Sequence, residues 1–534
     1  MPSVPAAPPL IVLCTLNAKY IHASLGLRCL LANMGDLKPQ TALCEFTVAR
    51  QPQELVDELL TLLGLAHPGG VQIIALGVYI WNVTRSTELV RLLKAARPAL
   101  KIVLGGPEVS HEVDQQAIVH LADHVITGWG DVSFPKLCNA LLRGPQPLVK
   151  VIAGEQPSLD QVVLPYDEYS ADDLAHRVLY VEASRGCPFK CEFCLSSLDQ
   201  TARAFDPDRF LAALQVLYQR GARNFKFVDR TFNLRIDASL RILQLFLDRL
   251  PVAGSGPSAD DLFLHFEVVP DHLPERLKAM IAQFPPGVLQ LEVGIQSFNV
   301  AVQQRISRQQ DNDKTEANLR WLVAASHAHL HTDLIFGLPG ETLASFAAGF
   351  DRLYGLGPHE IQLGLLKRLR GTPIARYTES YAMVYDPQPP YTVQQTGAVD
   401  ADTVQRFTRF ARYWDLLANS GRFRQTLPLL LATRAPSAFN AFWAFADWLW
   451  RNTGQTSGLA PETLVDVLFD YLTTDCALSV QGVRTALLAD YMASGARASP
   501  RTLKGWLPKQ GAPEIHAGKT MAQRQERHLV SDKF

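Results

Sequence analysis

Ten residues, Arg185-Gly186-Cys187-Pro188-Phe189-Lys190-Cys191-Glu192-Phe193-Cys194, constrain this chain more than any other stretch. Three cysteines at the spacing CxxxCxxC follow the apolar run Val178 to Ala183, which predicts a strand that delivers three thiols onto one loop. Thiolate sulfur suits iron–sulfur clusters, and Pro188 stiffens the wrap between the first two candidate ligands. Electron-transfer clusters of the four-iron type use four cysteines, so a wrap of three leaves one iron open to another ligand. The competing reading is a zinc site completed by a distant fourth ligand. Cys14, Cys29, Cys44, Cys138 and Cys476 are scattered, which argues against a secreted disulfide framework and for a reducing cytoplasm.

At 534 residues the chain is too long for one hydrophobic core and predicts two to four domains. Lys and Arg number 51 against 52 Asp and Glu, a net charge of -1, so the overall balance asks for neither nucleic acid nor an anionic membrane. No apolar run approaches the ~20 residues of a membrane span, and Met1 to Pro9 leads into a strand without a basic region. The expectation is a cytoplasmic enzyme with no membrane partner and no nucleic acid.

Residues 10–142 alternate five apolar strands (Leu10 to Leu16, Thr41 to Phe46, Val71 to Val78, Lys101 to Leu104, His124 to Thr127) with helix-period stretches, a doubly wound α/β pattern. Ligands of such sheets bind beyond the carboxyl ends of the strands. Those ends carry Asn17 and Tyr20 to Gly26, then Tyr79, Ile80, Trp81 and Asn82, then Gly105, Gly106, Pro107 and Glu108, then Gly128, Trp129, Gly130 and Asp131. Glycines at consecutive strand ends let a large ligand approach the backbone, although each alone also reads as a turn former.

Residues 143–176, rich in proline and polar side chains, read as a linker. From 177 to 385 six further apolar runs are separated by helical segments, such as the one capped by Asp206-Pro207 and stopped by Gly221. Their carboxyl ends carry Asp229, Arg230 and Asn233, then Glu267, then Gln296 and Ser297, then Gly337. Polar groups there either share an internal network or face a ligand. Beyond 386, after Pro387, Pro389 and Pro390, strand signals vanish and long helices dominate. Phe439, Phe442, Trp443 and Trp450 form a helical stripe that reads as core. The tail from Arg501 to Phe534 carries seven basic and three acidic residues and reads as a solvated end.

The cysteine loop resembles the defining motif of the radical S-adenosylmethionine (SAM) superfamily. Residues 10–142 resemble the cobalamin-binding domain that precedes some of its cores, through Asn17, Tyr20, Ser24, Leu25 and Gly26 and through Gly105, Gly106 and Pro107. The resemblance implies a Rossmann-like cobalamin-binding domain, a partial (β/α)6 radical SAM barrel and an α-helical C-terminal domain of unassigned function at 386–534. It implies a 4Fe-4S cluster on Cys187, Cys191 and Cys194, with SAM chelating the open iron. SAM would further meet Asp229, Arg230, Asn233, Glu267, Gln296, Ser297 and Gly337. Cobalamin would lie against the strand-end residues of the first domain, including Tyr79, Trp81, Asn82, Gly128 and Gly130. The Asp-x-His-x-x-Gly motif that supplies a cobalt ligand in many cobalamin proteins is absent, so His22 is not expected on cobalt.

The activity implied is methylation of an unactivated carbon through a 5'-deoxyadenosyl radical and methylcobalamin. The substrate would be a small molecule or peptide, and the electron donor a protein such as a flavodoxin or ferredoxin. Two other readings stand beside it: a radical rearrangement or ring contraction without methyl transfer, and a non-catalytic cobalamin- or metal-binding regulator.

Overall fold

A computed structural model of the chain describes residues 8–65, 70–250, 262–494, 498–507 and 527–528; most of the basic tail and the first seven residues lie outside them. The chain divides into two compact units. One comprises Met1–Arg230 with Arg368–Pro373 and Asp386–Tyr391; the other comprises Thr231–Lys367, Ile374–Tyr385 and Thr392–Phe534.

In the first unit, β1 (Ile11–Asn17), β2 (Thr41–Thr47), β3 (Ile73–Gly77), β4 (Lys101–Gly105), β5 (His124–Thr127) and β6 (Val151–Ala153) form a parallel sheet in the order β2-β1-β3-β4-β5-β6. Strands buried on both faces need apolar residues throughout, and every residue of β1 is buried. Helices α1 (Leu25–Ala32), α2 (Pro52–Leu63), α3 (Val83–Ala96), α4 (Ala117–Leu121) and α5 (Ser133–Arg143) make the crossovers. Helices α2 and α3 pack Leu55, Leu59, Leu89 and Leu93 on one face of the sheet. Helices α1 and α5 pack Leu27, Phe134 and Leu137 on the other. The chain turns to opposite sides of β1 to form β2 and β3, which opens a crevice at the carboxyl ends.

The sixth strand was not expected. Val151–Ala153 arises within the stretch read as a linker and extends the sheet at β5, because three apolar residues between polar neighbours give too short a periodic signal. The same stretch also holds α6 (Ala171–His176), closed by a Ser170/Asp173 capping box. Then come β7 (Leu179–Val181), a two-residue antiparallel pair β8 (Ser184–Arg185) and β9 (Arg203–Ala204), α7 (Pro207–Gln219) and β10 (Asn224–Phe227), which is parallel to β7. Helix α7 starts as its sequence predicts, with the Asp206 side chain accepting from the Arg209 amide.

The second unit opens with α8 (Ile236–Leu247) and continues β11 (Phe263–Val268), α9 (Glu275–Ile281), β12 (Leu289–Gln296), α10 (Val300–Arg305), α11 (Asn312–Ala325), β13 (His329–Phe336), α12 (Leu343–Tyr354) and β14 (Glu360–Leu365). These four strands are parallel and pair in chain order, with a register shift at Gly294/Gln296. A short hairpin of β15 (Val384–Tyr385) and β16 (Val393–Gln395) straddles the proline-rich boundary, so strand structure persists slightly past residue 386. Helices α13 (Ala401–Leu417), α14 (Thr426–Ala432), α15 (Ala438–Thr453), α16 (Pro461–Asp470) and α17 (Val480–Ala493) complete it.

The phenylalanines of the aromatic stripe are core. Phe410 on α13 lies 4.8 Å from Phe439 and 5.1 Å from Phe442, ring centre to ring centre, and Phe407 stacks on Phe336 of β13 at 3.9 Å. The helical region therefore shares its apolar interior with the β/α units it follows. Phe445 and Leu449 are buried with that face, whereas Trp443 and Trp450 are half-buried, under Arg406 and Arg409. Among the described residues no helix is long and apolar enough to cross a membrane.

Candidate functional site

The crevice of the first sheet holds a cavity of about 260 Å3, walled by the start of α1, the ends of β3, β4 and β5, and the loop 128–131. Of the residues expected at cobalamin, Leu25, Gly26, Tyr79, Gly105, Gly106, Gly128 and Gly130 line it. A Cβ on Gly128 would meet no protein atom within 4 Å, and one on Gly105 would meet only Ile126 O at 3.8 Å, so side chains there would project into free space. Gly106 has a different reason to be glycine. At φ 108° its Cβ would stand 2.5 Å from Val78 O, so the requirement comes from the neighbouring backbone.

The other expected contacts support the cavity instead of lining it. Asn17 Nδ2 donates to Glu45 Oε1 at 2.9 Å, and the Ser24 amide donates to the same oxygen at 2.5 Å while its hydroxyl caps α1. Tyr20 is half-exposed and its hydroxyl donates to Asp172. Asn82 is fully buried, accepts from the Tyr79 amide and donates to Leu16 O and Gly77 O, which fixes the turn carrying Tyr79. Trp81 stacks on Tyr79 at 4.4 Å and bonds Leu16 O from an exposed position. Pro107 opens a short 3-10 turn. His22 is also outside the cavity, its Nδ1 2.7 Å from the Tyr180 hydroxyl.

A cavity this size sits near the lower edge of ligand pockets, ~300 Å3. It suits the heterocyclic nucleotide tail of a cobalamin and not the whole corrin. The glycine cradle and the apolar floor fit that group, and no histidine lines the cavity.

The polar end of this cavity is also the wall of a second one, of about 220 Å3, beside the cysteine loop. Trp129, Glu182 and Arg185 line both. Arg185 donates from Nε and Nη2 to Glu182 Oε1 (2.8 and 2.7 Å) and from Nη1 to Asp131 Oδ2 (2.8 Å), and its guanidinium lies over the Trp129 ring. Burial pushes the Glu182 carboxyl up and Arg185 draws it back only in part; Glu182 and Asp131 hold Arg185 charged against its own burial. Two residues on come the three thiols: Cys187 and Cys191 are nine-tenths buried and Cys194 is half-buried. The donor set of three thiols on one loop fits a cluster with one open iron. Among the described residues no three His, Cys, Asp or Glu side chains are grouped to hold a metal ion.

Arg230 lines the second cavity, but Asp229 does not. Asp229 is buried and accepts from the Ala183 amide (2.9 Å) and the Ser184 hydroxyl (2.5 Å), joining the ends of β10 and β7. Burial, opposed by those bonds, pushes its carboxyl up to about 6. In the second unit Asn233 is likewise occupied, with Val269 N, Val269 O and His272 O. Each thus satisfies buried backbone. Glu267 lies in β11, Gln296 ends β12 at φ 68°, Ser297 donates to Glu341 Oε1, and Gly337 has φ 85° with Val393 packed where a Cβ would go.

Sequence reasoning missed Glu182, Asp131 and Arg185 as a unit, and it missed Glu45. A carboxylate inside the run Leu179 to Ala183 and another in the second strand were the available signals.

Residues 11–138 match the family model described as B12 binding domain, residues 181–353 the Radical SAM superfamily, and residues 379–532 a protein of unknown function, DUF4080. An uncharacterized methyltransferase of Pyrococcus horikoshii is 34% identical over 28% of this chain and 38% of its own length. The cobalamin-dependent radical SAM methyltransferase TokK of Streptomyces tokunonensis is 25% identical over 59% of this chain and 48% of its own. The chain thus spans less than half the length of each. Among solved structures, the cobalamin-dependent S-adenosylmethionine radical enzyme OxsB, with aqua-cobalamin and S-adenosylmethionine bound, shares the fold at TM-score 0.58 and 13% identity, over 94% of this chain and 82% of that one.

Proposed function

From a chain whose residues 181–353 match the Radical SAM superfamily and whose residues 11–138, ahead of them, match the B12 binding domain, we propose a cobalamin-dependent methyltransferase acting on an unactivated carbon of a small-molecule or peptide substrate. The observation that carries the reading is the shared wall: Trp129, Glu182 and Arg185 separate the strand-end cavity from the cavity at the cysteine loop, so the two cofactors would stand side by side. The reading takes residues 10–142 for cobalamin, 143–176 as connection and 177–385 for SAM and the cluster; it leaves 386–534 as a helical cover of the barrel units.

The cofactors are a 4Fe-4S cluster, SAM and cobalamin. Bound there, the cluster would supply one-electron reduction of SAM and cobalamin would supply methyl-transfer chemistry. The protein's residues do the positioning. Cys187, Cys191 and Cys194 would hold three irons, and Arg230, which lines the second cavity, would meet the SAM carboxylate. Arg185 stays charged, which offsets Glu182 and Asp131 in the wall between the two cavities. Leu25, Gly26, Gly105 and Gly128 would bound the cobalamin tail. Glu267, Gln296, Ser297 and Gly337 lie at the carboxyl ends of barrel strands, where such enzymes keep their chemistry. A flavodoxin or ferredoxin would supply electrons in the cytoplasm.

The test is anaerobic incubation of the reconstituted protein with SAM, hydroxocobalamin and a reductant. Formation of 5'-deoxyadenosine together with S-adenosylhomocysteine is expected. 5'-Deoxyadenosine alone would point to radical chemistry without methyl transfer, and neither product would sink the reading.

A further inference from the structure

The cavity at the head of the first sheet has an apolar body and a polar end whose arginine and tryptophan donors already face protein acceptors. From this we infer that the chain selects among cobamides by the polarity of their lower base, accepting benzimidazole or phenol and disfavouring purine. The inference rests on the reading that this cavity receives the nucleotide tail.

The body is formed by Leu27, Ala75, Val103, Ile126 and Phe134, all at most 5% exposed, from α1, β3, β4, β5 and α5. None offers a side-chain donor or acceptor. The backbone beside them is paired in the parallel ladder, Ala75 with Val103 and Ile126 with Ile152. The polar end does not compensate. Arg185 directs Nε, Nη1 and Nη2 at Glu182 and Asp131, and Trp129 Nε1 donates to Asp199 Oδ2 at 3.2 Å.

A dimethylbenzimidazole or cresol ring placed here exchanges water for carbon contacts. Adenine brings additional ring-nitrogen acceptors, for which those donors are already engaged. A buried unsatisfied polar group weakens binding by roughly ten- to a hundredfold. Opening the Arg185 pairs to satisfy the purine would instead leave a buried carboxylate uncompensated, which is no cheaper.

The experiment is equilibrium dialysis of the full-length protein with the hydroxo forms of three cobamides: dimethylbenzimidazolyl, p-cresolyl and adeninyl. The first two should be retained within a few-fold of each other, and the third roughly ten- to a hundredfold more weakly. Val103→Thr puts a hydroxyl in the apolar wall at almost unchanged volume and should narrow the gap; Ala75→Ser, on the neighbouring strand, should do the same. Equal retention of adeninyl and benzimidazolyl cobamides would overturn the inference and leave the cobalamin reading standing. Cresolyl retention as weak as adeninyl would overturn it too, because ring shape would then decide. An unchanged gap in both variants counts against it equally. Retention of no cobamide at all would overturn the underlying reading.

Discussion

Arg177 Nη1 lies 2.7 Å from Glu45 Oε2, with both side chains more than nine-tenths buried, across 132 residues of chain. Arg28 and Asp173 close a ring with them: Arg28 meets Glu45 and Asp173 at 2.8 Å each, and Arg177 meets Asp173 at 2.9 Å. Two guanidiniums balance two carboxylates. Burial alone would push both acids up, but the arginines outweigh it and hold both low. Glu45→Gln leaves two buried cations facing one anion and should destabilise the protein by about 3–5 kcal/mol in denaturant unfolding at pH 7. Acids held low contribute stability above their unfolded range and lose it as pH falls, so the gap to the variant should shrink below about pH 4. A difference under about 1 kcal/mol at pH 7, the scale of a surface pair, would show the ring to be incidental.

Glu341 gives the opposite sign. It is 3% exposed, accepts from Ser297 at 2.5 Å through Oε1, and its Oε2 is buried with no hydrogen-bond partner among the described residues. Burial pushes its carboxyl up to about 7, only partly offset by Ser297 and Ser345. A raised acid costs stability as pH climbs from its unfolded value, about 4.3, through its folded one. Glu341→Gln, which copies the protonated form, should therefore gain relative to wild type by about 3 kcal/mol between pH 4.5 and 8. Parallel stability curves for the two proteins over that range would refute the assignment.

The thiols divide by environment. Cys14 and Cys138 are buried in the first domain's core, where burial pushes Cys14 well up and Cys138 up to about 12. Replacement of Cys187, Cys191 or Cys194 by Ala should abolish the brown absorbance after anaerobic reconstitution and end 5'-deoxyadenosine formation. Cys14→Ala and Cys138→Ala should keep both. Full iron and sulfide content in Cys191→Ala would disprove the three-thiol cluster.

Gly105 and Gly106 separate ligand space from backbone space. Gly105→Val fills the cavity and should lose hydroxocobalamin while the protein keeps its far-ultraviolet spectrum and melting behaviour. Gly106→Val must displace the Val78 backbone and should lower stability as well. His22 is 2.7 Å from Tyr180 and outside the cavity, so His22→Ala should leave the bound cobalamin spectrum unaltered. A shifted spectrum would make His22 a cobalt ligand.

How much the sequence revealed tracks the range of the interactions involved. Helix α2 and strands β1 to β5 were legible because period, proline and apolar runs act within a few residues. The motif Asn17, Tyr20, Ser24, Leu25, Gly26 was visible as a set, but its division was not. Leu25 and Gly26 touch the cavity while Asn17 and Ser24 serve Glu45, because Glu45 lies 28 and 21 residues away and shows its burial only once β2 pairs with β1. The bond from the Ala183 amide to Asp229 was hidden for a related reason: a strand-end carboxylate looks the same in sequence whatever it meets across the sheet. The triad of Asp131, Glu182 and Arg185 joins two domains' worth of sequence and has no local signature at Asp131.

The cysteine loop is tied at its neck by backbone contacts. Ser184 and Arg185 pair with Ala204 and Arg203, the Cys187 amide donates to Asp199 O, and a Cβ on Gly186 would stand 2.7 Å from that same carbonyl. The entropy of drawing the loop's ends together, which grows only as about (3/2)RT ln n, is thus met by the fold and not by the metal. Any side chain at position 186, where φ is 85°, would pry that neck apart, so one glycine governs how closely the ends of the three-thiol loop are held.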